Sequence, residues 1–245
     1  MSRKPLIKTE QSAEPPNNNC QNTLGKLNVC FGGFSTAGKK PENQDAFAAL
    51  LPKANEIISK GIVAAIADGV SSASRAADAS QISVTQFIND YYATPDTWST
   101  QKSASKVLTS INQWLSSQTD SGSGESLQWL TTFTALIVKS STGYVFHVGD
   151  TRLSVYREND IETITRDHNR KSGNASHQVI LTRALGSDPR LKVDLHKIDI
   201  RAGDIYLLSC DGVHDFLSSA DIKSRLCELP QIPTTKDLEY ISKNM

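Results

Sequence analysis

The stretch Gly61-Ile62-Val63-Ala64-Ala65-Ile66-Ala67-Asp68-Gly69-Val70-Ser71-Ser72 is an apolar run that ends abruptly on a carboxylate and a glycine. Its small or β-branched residues between turn signals predict a strand buried on both faces, with Asp68 emerging at its end. The same construction returns in Ile205-Tyr206-Leu207-Leu208-Ser209-Cys210-Asp211-Gly212. Two such strands lying side by side would carry Asp68 and Asp211 to one sheet edge, where repulsion between carboxylates favours a cation between them.

Working outward, Leu27, Val29 and Phe31 share one parity and predict a strand, and Asp45 to Leu51 predicts another. After Asp68-Gly69 the apolar period becomes helical: Ala76, Ala79, Ile82, Phe87 and Ile88 mark one buried face, with Ser72 or Ser74 as the cap. Pro95 ends that helix. Val107, Leu108, Ile111, Trp114 and Leu115 mark a second. From Leu130 the pattern is strand after strand: Thr132 to Val138, Tyr144 to Val148, Leu153 to Tyr156 and Ile161 to Ile164, with turns at Gly149-Asp150 and Glu158-Asn159-Asp160. Residues 167–184 read as a polar surface excursion, Val193 to Ile200 as a strand, and Ser219 to Leu229 and Thr235 to Asn244 as helices. Strands, two helices, a block of strands and closing helices do not alternate as parallel βαβ units would. The order predicts an α+β layered sandwich of largely antiparallel sheets.

The 245 residues suffice for one well-filled core. Lys plus Arg and Asp plus Glu number 26 each, which argues against a dedicated nucleic-acid or anionic-membrane surface. No apolar run approaches membrane-spanning length and the first 19 residues lack the apolar core of a signal peptide, so a cytoplasmic location is expected. Residues 1–25 are polar, carry Pro15-Pro16-Asn17-Asn18-Asn19, and read as a flexible arm. The four cysteines are too widely spaced for a zinc site, and Cys30 and Cys210, inside apolar runs, read as buried free thiols.

Three acids border apolar strands, where a rigid scaffold can hold a ligand accurately: Asp45, Asp68 and Asp211. Carboxylates without clustered His or Cys suit hard, oxygen-seeking ions such as Mg²⁺ or Mn²⁺. Asp-Gly is also the commonest tight-turn dipeptide, so a plain turn stands beside the metal reading at each position.

The series Asn43-Gln44-Asp45-Ala46-Phe47, Ala67-Asp68-Gly69-Val70-Ser71-Ser72, Thr132-Phe133-Thr134-Ala135, Val148-Gly149-Asp150-Thr151-Arg152, Thr165-Arg166-Asp167-His168, Leu181-Thr182-Arg183-Ala184-Leu185-Gly186 and Ser209-Cys210-Asp211-Gly212-Val213 resembles the metal-dependent serine/threonine protein phosphatases, type 2C, in that family's order. The wording looks most like bacterial members in which the phosphatase domain precedes a protein kinase domain, although kinase motifs are absent from this sequence. The resemblance implies a four-layer α-β-β-α sandwich with two Mg²⁺ or Mn²⁺ ions in a cleft at one end. Asp68 would bridge both ions, the Gly69 carbonyl would bind one, Asp211 the other, and Asp45 would hold ion-bound water. A hydroxide between the ions would then hydrolyse phosphoserine or phosphothreonine in proteins. Asp215 matches an acid that helps hold an additional, weaker ion; a helix cap ahead of Phe216-Leu217 is its other reading.

Departures accompany the matches. Lys40 stands where the family commonly has an arginine that grips the substrate phosphate, keeping the charge but losing the bidentate fork. Val70-Ser71 stands where some members carry a proton-donating histidine, which leaves His168 and His214 as the nearest motif histidines, both read as structural. Gly149-Asp150-Thr151-Arg152 reads as a hairpin turn with Arg152 pairing to a carboxylate. The family's final Asp-Asn motif has no match after Asp221. The expectation is therefore a phosphatase-like domain over 26–245, incomplete at its carboxyl end and weakly active, with Asp237 as a stand-in. The expected partners are phosphoprotein substrates and a kinase or its targets, with neither nucleic acid nor membrane. The competing function is a catalytically weak domain of the same fold that serves as a binding or regulatory module.

Overall fold

Strand β4 (Ile62–Asp68) divides its side chains between two apolar cores, as a period of two requires: Ile62 points into one, and Val63, Ala65 and Ala67 into the other. In this computed structural model, which describes residues 23–24, 27–118, 127–171 and 179–245, that division extends through a five-stranded antiparallel sheet. Its order is β11 (Asp194–Asp199), β6 (Thr142–Val148), β5 (Phe133–Lys139), β4 and β3 (Asp45–Leu50). On the outer face lie α2 (Ala76–Ala93) and α3 (Thr100–Gln118), whose Phe87, Tyr91, Leu108, Ile111 and Leu115 pack on Phe133, Ile137 and Phe146. Phe87 meets Phe133 edge to face at 4.9 Å, the arrangement ring quadrupoles prefer.

The inner face packs on a second sheet of order β12 (Ile205–Ser209), β7 (Arg152–Arg157) and β8 (Asp160–Thr163). Leu136, Val138 and Val145 meet Leu153, Tyr206 and Leu208 there. Beyond it, α5 (Ser219–Leu226) and α6 (Thr235–Asn244) bury Ile222, Leu226 and Ile241 against Tyr156, Ile161, Ile205 and Leu207. Along β12, Ile205 and Leu207 face the helices while Tyr206 and Leu208 face the first sheet. The layers are helix, sheet, sheet, helix, so the α+β sandwich expected from the sequence is the observed fold. Turns follow the backbone chemistry. Glu158 and Asn159 both take positive φ, 51° and 63°, closing the two-residue β7–β8 hairpin as a turn of that twist demands.

Several expectations need correction. The two strands that end in Asp-Gly do not lie side by side: β4 is internal to one sheet and β12 is an edge strand of the other, packed across the sandwich. Having one neighbour, β12 is half-buried over most of its length and not fully enclosed. Helix α1 (Ala54–Lys60) was not expected, since among its described side chains Ile57 is the one buried apolar group, with the buried Lys60 giving no apolar signal. The cap of α2 is Arg75, with Ser74 Oγ instead accepting from Gln128 N at 3.0 Å. Cys30 is disulfide-bonded, not free. The arm expected over residues 1–25 lies outside the described residues, apart from Thr23–Leu24, which form β1 and pair with β2 (Leu27–Asn28). Within the excursion, β9 (Asn169–Lys171) pairs with β10 (Val179–Leu181).

Candidate metal centre

Asp45 and Asp68 are opposed because the β3–β4 register pairs the first residue of one strand with the last of the other. Directly opposite side chains of an antiparallel pair project to the same face. The register is pinned at this end by Gln44, whose carbonyl accepts from Gly69 N at 3.0 Å and from Ser80 Oγ of α2 at 2.6 Å. Gly69 has to be glycine: a Cβ there would stand 2.5 Å from the Ala76 carbonyl oxygen. Cys210, between β12 and the short α4 (Asp211–His214), closes the group from the other sheet. Its Sγ donates to Asp45 Oδ2 at 3.1 Å, and one donor atom each from Asp45, Asp68 and Cys210 all lie within 4.8 Å of one another.

Asp68 is only 8 % exposed. Its backbone is fully engaged: N donates to Thr132 Oγ1 at 2.9 Å, and the carbonyl accepts from Thr131 Oγ1 at 2.9 Å and Thr132 N at 2.8 Å. Its carboxyl faces another carboxyl. Among the described residues no N–H donates to it. Burial, then the charges of Asp45 and Asp211, push it up to about 9, while the charge of exposed Lys40 opposes the shift. A buried acid with acids for neighbours is relieved either by a proton or by a cation. Asp45, Asp68 and the nearby acids therefore fit a divalent ion.

Asp211 and Asp215 are exposed at either end of α4, with Asp215 N donating to Asp211 O at 3.0 Å. The helix cap considered for Asp215 is supplied elsewhere: Ser218 caps α5 in a box with Asp221. Asp237 forms the corresponding box with Thr234 on α6. One acid that sequence reasoning passed over belongs to this neighbourhood. Asp150, half-buried after β6, is raised to about 6 by burial and then by Asp211, Asp167 and Asp215. Its signal was an acid at a strand end, the same one that marked Asp68, hidden by the hairpin-turn reading of Gly149-Asp150, which is wrong because that stretch leads from β6 of one sheet to β7 of the other. Cys210 was likewise absorbed into the core reading.

The strand ends around Asp150 are held by a polar lattice. Arg152 grips Asp167 with two parallel bonds, Nε to Oδ1 at 2.9 Å and Nη2 to Oδ2 at 2.7 Å. His168 Nδ1 accepts from Gly149 N at 3.1 Å, so Nε2 carries the proton toward Asp194 Oδ2, also 3.1 Å away. Arg183 Nη1 donates to the other oxygen of Asp194 at 2.8 Å. Burial raises the Asp194 carboxyl, but the bonds from His168 and Arg183 outweigh it and hold the acid below its usual range. Below His168, fully buried His147 donates from Nε2 to Arg166 O at 3.1 Å and accepts at Nδ1 from Thr134 Oγ1 at 2.9 Å. Burial first, then His168, pushes it down to about 4. His214 Nδ1 pairs with Ser209 Oγ at 3.1 Å.

A two-sheet sandwich with opposed acids at one end defines a class, and the sequence profile described as Protein phosphatase 2C matches residues 33–243. The chain belongs to the protein phosphatase 2C family. Among similar proteins is the protein phosphatase PhpP of Streptococcus pneumoniae, 23 % identical over 128 residues, covering 46 % of this chain and 52 % of that one. The chain thus matches about half the length of the curated relatives. The serine/threonine phosphatase Stp1 of Staphylococcus aureus shares the fold with a TM-score of 0.70 at 19 % identity, over 88 % of this chain and 91 % of that one. PstP/Ppp of Mycobacterium tuberculosis does so with a TM-score of 0.65 at 20 % identity, over 83 % and 87 %. Among the described residues no helix is long and apolar enough to cross a membrane.

Proposed function

We propose that this chain hydrolyses phosphoserine and phosphothreonine in proteins, with Asp45, Asp68, Gly69 and Asp211 holding two Mg²⁺ or Mn²⁺ ions and Asp215 helping to hold a further, weaker one. The observation that carries the reading is the nine-tenths-buried Asp68 carboxyl, set against Asp45 and under the charge of Asp211 with no cationic hydrogen-bond partner. Family membership supports it, and so does a related fold described as the catalytic domain of PstP in complex with two manganese ions, with a TM-score of 0.63 at 22 % identity. When bound, such ions supply the charge that makes an attacking water acidic and offsets the negative charge of a transferring phosphoryl group. The protein's part is positioning. Strands β3 and β4 fix the two acids, Asp211 and Asp150 add negative charge at the rim, and Lys40, whose charge reaches Asp68, is the group set to meet a substrate phosphate. The substrates would be products of serine/threonine kinases.

Phosphate release from a phosphothreonine peptide with and without Mn²⁺, together with calorimetric Mn²⁺ titration, tests the reading. Turnover abolished by chelation and binding weakened in both Asp68→Asn and Asp211→Asn are expected. Binding unchanged in both variants would sink the assignment. Saturable binding without phosphate release would move the chain to the competing reading of a binding or regulatory module, which a lysine in place of the bidentate arginine favours.

A further inference from the structure

Cys210 is the one sulfur in a cluster otherwise built of oxygen. Its Sγ lies 3.1 Å from Asp45 Oδ2 and shares with Asp45 and Asp68 a sphere in which all three donor atoms fall within 4.8 Å of one another. Donor atoms around a four-coordinate ion bound at ~2.0–2.3 Å lie roughly 3.3–3.8 Å apart, so only small side-chain rotations separate this arrangement from a ligand set. The geometry points to Cys210 Sγ as a direct ligand for a thiophilic divalent ion of the zinc class, held with Asp45 and Asp68. The inference rests on the ion site proposed above and adds to it a choice among ions.

Two features support it. Asp68 is nine-tenths buried and its carboxyl, aimed at this cluster, has no N–H partner among the described residues. The Cys210 thiol donates its one proton to Asp45 Oδ2, which holds the sulfur beside a carboxylate oxygen that could share an ion with it. As the metal–sulfur bond forms, the S–H bond breaks and its proton passes to solvent. Mg²⁺ gains little from sulfur and is bound through the carboxylates alone, whereas Zn²⁺, Co²⁺ and Cd²⁺ gain a soft donor. A serine oxygen at position 210 would keep the size and lose that preference.

Co²⁺, a spectroscopic stand-in for Zn²⁺, tests this in the full chain, without reductant so that the Cys30 disulfide stays intact. Wild type is expected to develop a near-ultraviolet thiolate-to-cobalt charge-transfer band that added Zn²⁺ abolishes. The band should vanish in Cys210→Ser and persist in Cys227→Ser, the exposed free thiol serving as control. Zn²⁺ affinity by calorimetry should fall about tenfold or more in Cys210→Ser, since loss of even an outer partner of a metal ligand costs that much, with Mn²⁺ affinity retained. Co²⁺ binding with no band, or a band that survives Cys210→Ser or disappears in Cys227→Ser, overturns the inference and leaves the Asp45–Asp68 site standing. Failure of Mn²⁺, Co²⁺ and Zn²⁺ alike to bind wild type overturns both.

Discussion

Replacing Asp68 by asparagine should stabilise the ion-free protein while removing its response to metal. The folded protein keeps a proton on this buried carboxyl, raised to about 9, whereas the unfolded chain releases it near 3.8. From about pH 4 upward the unfolded state therefore binds fewer protons, and wild-type stability falls as pH rises. At pH 7 the cost is about 4 kcal/mol, at about 1.4 kcal/mol for each of the roughly three pH units between. Asparagine escapes it but buries an amide with unmet hydrogen bonds, which takes back ~2 kcal/mol. The net expectation at pH 7 is a gain of ~2 kcal/mol, or about 4–8 °C in Tm for a domain of this size. At pH 5 the wild-type cost is less than half of that, so the gain should shrink to nearly nothing. Urea unfolding of both proteins in chelator at pH 5 and 7 measures this. Repeating it with Mn²⁺ should raise only the wild type. A variant less stable than wild type at pH 7, or a gain of equal size at both pH values, would refute the electrostatic reasoning.

Three further outcomes are expected. Lys60 is 3 % exposed and its ammonium donates to Thr94 O, Thr94 Oγ1 and Pro95 O at 2.6, 2.8 and 3.1 Å; Lys60→Met should cost about 2–4 kcal/mol in urea unfolding by stranding those acceptors, and an unchanged midpoint would contradict it. Gly149 has φ 107° and a Cβ there would stand 2.6 Å from Thr132 Cβ; Gly149→Ala should lose about 2–3 kcal/mol and weaken Mn²⁺ binding, because Thr132 Oγ1 anchors Asp68 N. His147, pushed down to about 4, stabilises the fold fully above pH 6.5 and loses up to ~3 kcal/mol as pH falls toward 4. Asp68 acts in the opposite direction over that range, so the effect is to be read as the wild-type minus His147→Gln difference in unfolding free energy, and a difference independent of pH would exclude it.

The layers were legible because burial imposes period: β4 to β7 and α2 and α3 each show one parity or one helical stripe, and Glu158-Asn159 names its own turn. Sheet membership was not, because β4 and β12 carry the same apolar-run-Asp-Gly pattern whether they sit side by side or across a sandwich. The pairing is decided by side chains on other strands. Helix α1 escaped because one buried apolar side chain, Ile57, leaves no stripe to read. At the centre, Asp45 and Asp68 were visible as acids at strand ends. Their opposition depends on a register no local pattern encodes, and the arrival of Cys210 depends on how the second sheet docks.

Asp194 binds His168 with one oxygen and Arg183 with the other, and His168 O accepts from Thr182 N at 2.7 Å. One carboxylate on β11 thus pins the points where the chain leaves the sandwich and returns. A span fastened at both ends behaves as an exchangeable cassette. Doubling its length adds only about 0.6 kcal/mol of closure entropy, and none of that change has to be transmitted to β3, β4 or the acids they hold. Descendants of this sequence can rewrite what lies between residues 169 and 181 while inheriting the opposition of Asp45 and Asp68 unaltered.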